Sequence, residues 1–137
     1  MPRIIQICLG TTTERRATDH WECDIHDDTA FDRSLADCGE IDGLYFLAEH
    51  ALVYDSVHSQ NIKQSQMRNE VPLLRLIKRL NDSQSTGKPI DCYILTLDNY
   101  SLSEQPVNPY GGGVTGLVYS AAQGEHRLRI RNLIFLC

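Results

Sequence analysis

Five stretches of the chain are dense in apolar residues and bounded by glycine, proline or polar clusters, a pattern that predicts strands. RIIQICL (3–9), stopped by Gly10, predicts a buried strand. WECDI (21–25) alternates, with Trp21, Cys23 and Ile25 on one face. IDGLYFLA (41–48) predicts a second buried strand, IDCYILTL (90–97) a third, and RLRIRNLIFL (127–136) a last. Helical spacing fills the gaps. Asp27 or Asp28 is expected to cap a helix through about Cys38, with Phe31, Leu35 and Cys38 on its stripe. EVPLLRLIKRL sets Leu73, Leu76, Ile77 and Leu80 at helical spacing, with Pro72 in the first turn or at a kink. NPYGGGVTGLVYSAAQGEH (108–126) opens on Gly111, Gly112 and Gly113 and continues as a helix.

Strands alternating with helices imply an α/β domain: a truncated Rossmann-like three-layer fold with a mostly parallel sheet of about five strands. The first link is anomalous. Parallel neighbours need a crossover of about a dozen residues or more, usually a helix. TTTERRATDH is short and polar and has no apolar stripe, so the first crossover helix is expected to be shortened or missing.

A chain of 137 residues makes one domain, and residues 1–137 are expected to form a single unit. Its apolar C-terminal strand, ending at Cys137 without a polar tail, suggests a piece of a longer multidomain polypeptide or an end that meets a partner. No apolar run approaches the roughly 20 residues of a membrane span, and the N-terminus has no signal-peptide cleavage region. A cytoplasmic protein without a membrane partner is expected. The net charge of −5 argues against nucleic acid as a partner. Arg127, Arg129 and Arg131 alternate with Leu128, Ile130 and Asn132, so the basic residues mark one strand face. Five cysteines, three of them in strand-like runs, read as reduced thiols and not as a disulfide framework.

Several turns carry residue types that could bind or react. A dinucleotide fold seats its pyrophosphate on the first helix, over three spaced glycines. LGTTTERRATDH offers Gly10 alone, and Glu14 adds a negative charge, so no nicotinamide cofactor is expected. Gly111 to Gly113 precede no Lys-Ser/Thr pair, which removes a Walker loop. They read as a close helix contact. His20, Glu22, Asp24 and His26 share one strand face while Cys23 points away, a poor arrangement for zinc. Asp55, Ser56 and His58 have triad residue types without a nucleophile elbow. Cys8 and Cys92 are expected to be buried thiols of raised pKa. Asp98 and Asn99 follow the carboxyl end of a strand, where open sheets place ligands, although turn formation explains them better. No catalytic, cofactor-binding or metal-binding residue is assigned.

The order IIQICLG, WECDIHDDTAFDRSLADC, IDGLYFLAE, VPLLRLIKRL, DCYILTLDN and NPYGGGVTGLVYSAAQGEHRLRIRNLIFL resembles the structural, non-catalytic ketoreductase subdomain of modular polyketide synthases, the trans-acyltransferase type above all. The last piece carries most of the resemblance, through its "NP…GL…S…E" helix and the strand after it. The chain departs from that family at the glycine triplet, and at Val118-Tyr119 where a basic residue is more usual. The resemblance implies a truncated Rossmann fold without cofactor, beside a catalytic ketoreductase and a carrier protein as partners. The related catalytic subdomain uses a Tyr with a Lys four residues on. Tyr110 stands at the equivalent helix start here, but Val114 follows where the cation would be. The expected function is therefore structural support of a neighbouring domain during polyketide biosynthesis. The alternative is a small stand-alone α/β enzyme or ligand-binding protein with its site near Asp98.

Overall fold

A computed structural model describes residues 2–48, 59–83, 88–97, 111–124 and 128–135. Among the described residues the strands form two three-stranded sheets, and α-helices pack against both. In the first, β1 (Gln6–Gly10) lies parallel to β3 (His20–Asp24), and β2 (Glu14–Ala17) runs antiparallel along the far side of β3. In the second, β4 (Gly43–Leu47), β5 (Ile90–Leu97) and β6 (Leu128–Phe135) are all parallel, in the order β4-β5-β6. The helices are α1 (Ala30–Cys38), α2 (Ser59–Arg68), α3 (Glu70–Ser83) and α4 (Gly111–Gly124). This is a truncated Rossmann-like α/β fold.

The short first link is solved within the plane of the sheet. After β1 the chain crosses the end of β3, descends as β2, and turns back into β3 between its two partners. Parallel pairing of β1 and β3 thus needs no crossover helix, and the expected loss of that helix has a structural substitute in β2.

One hydrophobic cluster joins the two sheets through the helices. Phe31 and Leu35 of α1, Leu73, Leu76, Ile77 and Leu80 of α3, and Val114 and Val118 of α4 meet Cys23 of β3, Ile90, Cys92 and Ile94 of β5, and Leu128 and Ile130 of β6. Full burial of a Leu or Ile is worth about 1.5–3 kcal/mol, so this cluster dominates the favourable energetics. Arg75 adds a polar tie: its guanidinium donates to the Ile25 carbonyl at 2.8 Å and pairs with Asp28 at 2.5 Å. Arg79 pairs with Asp32 of α1 at 2.9 Å.

Local chemistry sets the helix boundaries. Thr29, not an aspartate, is the N-cap of α1, and it makes no side-chain cap bond. Asp27 acts one step earlier, accepting the Thr29 N–H and the Thr29 hydroxyl, both at 2.9 Å. It thereby folds the turn that feeds the helix. Pro72 sits in the first turn of α3, where its missing N–H costs no internal bond. Its ring is incompatible with a helical carbonyl four residues back, and α2 ends at residue 68, one buried Asn69 before α3 begins.

Two strands differ from expectation. RIIQICL and IDGLYFLA were both expected to be buried. Instead β1 is an outer strand of its sheet, with Cys8 only half-buried and Ile4 before it exposed. β4 is likewise an edge strand, with Tyr45 70% and Leu47 73% exposed. An edge strand that faces helices on one side only has no use for apolar residues on the other, so their presence calls for an explanation. IDCYILTL does form the central strand, alternating buried and half-buried residues from Ile90 to Leu97.

Candidate functional site

Both glycine positions singled out in the sequence, Gly10 after β1 and Gly113 in the first turn of α4, are backed by glutamates of the chain itself. Gly10 ends β1, at the place where a dinucleotide fold would begin its phosphate turn. A Cβ built on Gly10 would lie 2.7 Å from Cδ and 2.8 Å from Cγ of Glu22, and closer still to its Oε1. Glu22 reaches this point because it lies on β3 beside Cys8, on the polar face of the strand. Its Oε1 accepts the Thr11 N–H at 3.3 Å and the Thr12 hydroxyl at 3.2 Å. Its Oε2 takes the Arg16 fork, Nε at 3.0 Å and Nη2 at 2.6 Å. The Arg16 hydrogen bonds, with those from Thr11 and Thr12, hold the Glu22 carboxyl below the usual glutamate range.

Sequence reasoning assigned the local negative charge to Glu14. Glu14 and Glu22 are in fact opposite each other across β2 and β3, and Arg16 pairs with both. The cation resolves what would otherwise be a like-charge cross-strand pair. Only the strand register reveals this, since Arg16 and Glu22 are six residues apart on different strands.

At the start of α4 a glutamate again stands behind a glycine, with a different outcome. A Cβ on Gly113 would meet Glu70 Oε1 at 2.5 Å and Cδ at 3.1 Å. The start of α4 therefore packs on the start of α3, the close contact that three successive glycines suggested. Here burial pushes the Glu70 carboxyl above the usual range. Its Oε2 is buried and, among the described residues, finds no hydrogen-bond partner.

The remaining candidates disperse. Trp21 and Cys23 lie on the face of β3 turned toward α1, where the Trp21 indole donates to Asp37 at 3.0 Å and the Cys23 thiol contacts the Ala30 carbonyl and Ser34. Glu22 is committed to Arg16, and Asp24 accepts the His26 N–H at 2.9 Å. Among the described residues, no three His, Cys, Asp or Glu side chains are placed to hold a metal ion. Cys8, Cys23, Cys38 and Cys92 are free thiols, and burial pushes Cys92 up to about 12. Val114, four residues after Tyr110, is wholly buried in the core. Asp55, Ser56, His58, Asp98, Asn99 and Tyr110, together with Arg127 and Cys137, lie outside the described residues.

A different kind of site stands on the second sheet. Strand alternation puts Tyr45 and Leu47 of β4, Tyr93, Leu95 and Leu97 of β5, and Leu133 and Phe135 of β6 on the face opposite the core. Tyr45 and Tyr93 stack with ring centroids 5.2 Å apart. Phe135 is 49% exposed. One end of this face is charged: Asp91 pairs with Arg129 at 2.7 Å, and Arg131 stands in register with Tyr93. Tyr45, Leu47 and Phe135 are the most open residues of this apolar face, while Tyr93, Leu95 and Leu97 are half-buried. Among the described residues, no helix is long and apolar enough to cross a membrane.

No protein-family model matches this chain, and no curated protein matches it in sequence. Its fold is similar to part of a solved multidomain structure comprising adenylation, ketoreductase and pseudo Asub domains of a keto acid-selecting NRPS module. The TM-score is 0.81 at 12% identity, with 96% of this chain covered. The chain spans 11% of that protein's length. At such low identity the likeness establishes the fold: a truncated Rossmann-like domain of a kind found inside a multidomain synthase module.

Proposed function

We propose that the chain is a non-catalytic structural domain of a polyketide synthase module, of the type served by free-standing acyltransferases. It supports or positions an adjacent ketoreductase, or the substrate that a carrier protein brings to it. The observation that carries this reading is the occupation of the phosphate turn. The end of β1, where a Rossmann domain would anchor a cofactor, is closed by Glu22 and has no helix behind it. A domain so built contributes surface and not chemistry, and the apolar face of β4, β5 and β6 is the surface it has to offer.

Calorimetry with NADPH tests the first half of the proposal. No heat of binding is expected, and micromolar affinity would overturn the assignment. The second half is tested in the native polypeptide. If it continues into a second Rossmann unit with a G-x-G-x-x-G turn and a Tyr-x-x-x-Lys pair, deleting residues 1–137 should leave that unit insoluble or inactive. A neighbour that folds and reduces its substrate equally well alone would show that the support is unnecessary.

A further inference from the structure

The donors around Glu22 form a recognisable chemical set. A backbone N–H (Thr11), a hydroxyl (Thr12) and an arginine fork (Arg16) converge on one carboxylate, beside a glycine with no Cβ to obstruct the approach. A backbone amide after a strand, a hydroxyl and a guanidinium also suit the oxygens of a phosphate or sulfate. The carboxylate supplies two anionic oxygens, and each is engaged on its own side: Oε1 by the two threonines, Oε2 by the arginine. Arg16 is fixed in place from two further directions, by its pair with Glu14 and by donating to Thr12 Oγ1 at 3.3 Å. Both contacts remain available to the cation when Glu22 is shortened.

We propose that the turn from Gly10 to Arg16 is an anion site whose resident ligand is the chain's own Glu22, and that inorganic phosphate or sulfate takes that place when the side chain is removed. Glu22 is tethered on β3, so its effective concentration at the turn exceeds that of any free anion. The intact protein consequently keeps the site closed. Glu14 opposes a free anion electrostatically, which makes the emptied site weak and fixes the order of affinities among variants. The anion site belongs to the turn alone and is independent of any neighbouring domain. NADPH binding bears on the proposed function, and inorganic anions bear on this site.

The test is a titration with inorganic phosphate and with sulfate at constant ionic strength, followed through the amide resonances of Thr11 and Thr12 and the Nε–H of Arg16. Wild type and Glu22→Gln, which keeps the space filled, should show no saturable shift. Glu22→Ala should show one at millimolar anion. Glu14→Gln added to Glu22→Ala should bind several-fold more tightly, and Arg16→Met added to Glu22→Ala should abolish the shift. A Glu22→Ala variant with native chemical-shift dispersion and no saturable change overturns the proposal, as does a wild type that responds equally. If Glu22→Ala is too weak to fold at low salt, sulfate should restore its folding at concentrations that leave Arg16→Met/Glu22→Ala unfolded. Equal rescue of both variants would mean that the anion acts without the site.

Discussion

Glu22 and Glu70 stand behind Gly10 and Gly113, the two glycines nearest to a phosphate-binding pattern, yet their environments are opposed. Every oxygen of Glu22 has a donor, whereas Glu70 has a buried oxygen with no partner among the described residues. The pH dependences therefore differ in sign. Burial raises the folded-state pKa of Glu70. Its contribution is fully present below the ordinary glutamate value of about 4.3 and is lost as pH rises through the raised value. Glu70→Gln should consequently stabilise the protein at pH 7, with the advantage vanishing in acid; denaturant titrations at both pH values measure it, and equal stability at neutral pH would contradict the burial argument. Glu22 has a lowered pKa, so its contribution is present above the ordinary value and lost as pH falls through the lowered one. Gly10→Ala forces a methyl onto the Glu22 side chain, which must swing aside and give up its bonds to Thr11 and Thr12, and should destabilise the protein. The cost should shrink when Glu22 is also truncated to Ala. Strict additivity in that double-mutant cycle would show that the two residues do not touch.

At the scale of elements, polar side chains fix how strands and helices meet. Asn132 on β6 donates through Nδ2 to the Ile94 carbonyl at 2.8 Å and to Thr96 Oγ1 at 3.2 Å, while its Oδ1 accepts from Thr115 of α4 at 2.8 Å. One amide thereby ties β5, β6 and α4 together. Asn132→Leu has the right size but none of these bonds, and should destabilise the fold by about 1–3 kcal/mol. Thermal denaturation would show it, and a Tm equal to wild type would mean that the network carries no net stability. Asp37 plays a similar part for the first sheet. The Trp21 indole hydrogen bond, with Arg15 and Arg3 nearby, lowers its pKa. Asp37→Asn should flatten the acid limb of the stability profile, because stability then no longer falls as pH drops through the lowered Asp37 value.

Over the whole molecule, the described helices bury one face of the β4-β5-β6 sheet and leave seven apolar or aromatic side chains on the other, from Tyr45 and Leu47 to Leu133 and Phe135. Two aromatic rings are already stacked there without help from a partner. Charging this face separates folding from association. Leu47→Lys changes a residue that is 73% exposed, so its effect on stability should stay within about 0.5 kcal/mol. Binding of a hydrophobic dye, and any concentration-dependent association, should fall. A large loss of stability would show that the face is covered within the chain and is not offered to a partner.

Much of this protein was legible in its residues because local rules decided it. The period-2 pattern of IDCYILTL, the helical stripe from Leu73 to Leu80 and the alternation of Leu128, Arg129, Ile130 and Arg131 each depend on near neighbours, and each recurs in the structure. The weakness of the first crossover was visible too, because a polar link without an apolar stripe has nothing to bury. Tertiary structure alone decided the rest. Apolar residues in RIIQICL and IDGLYFLA look the same whether a strand lies in the middle of a sheet or at its edge, and only the strand order made them edges. Glu22 and Gly10 are twelve residues apart, as a reader of the sequence sees them. The return of the chain through β2, in the plane of the sheet, is what aims that carboxylate at the turn and brings Arg16 to hold it.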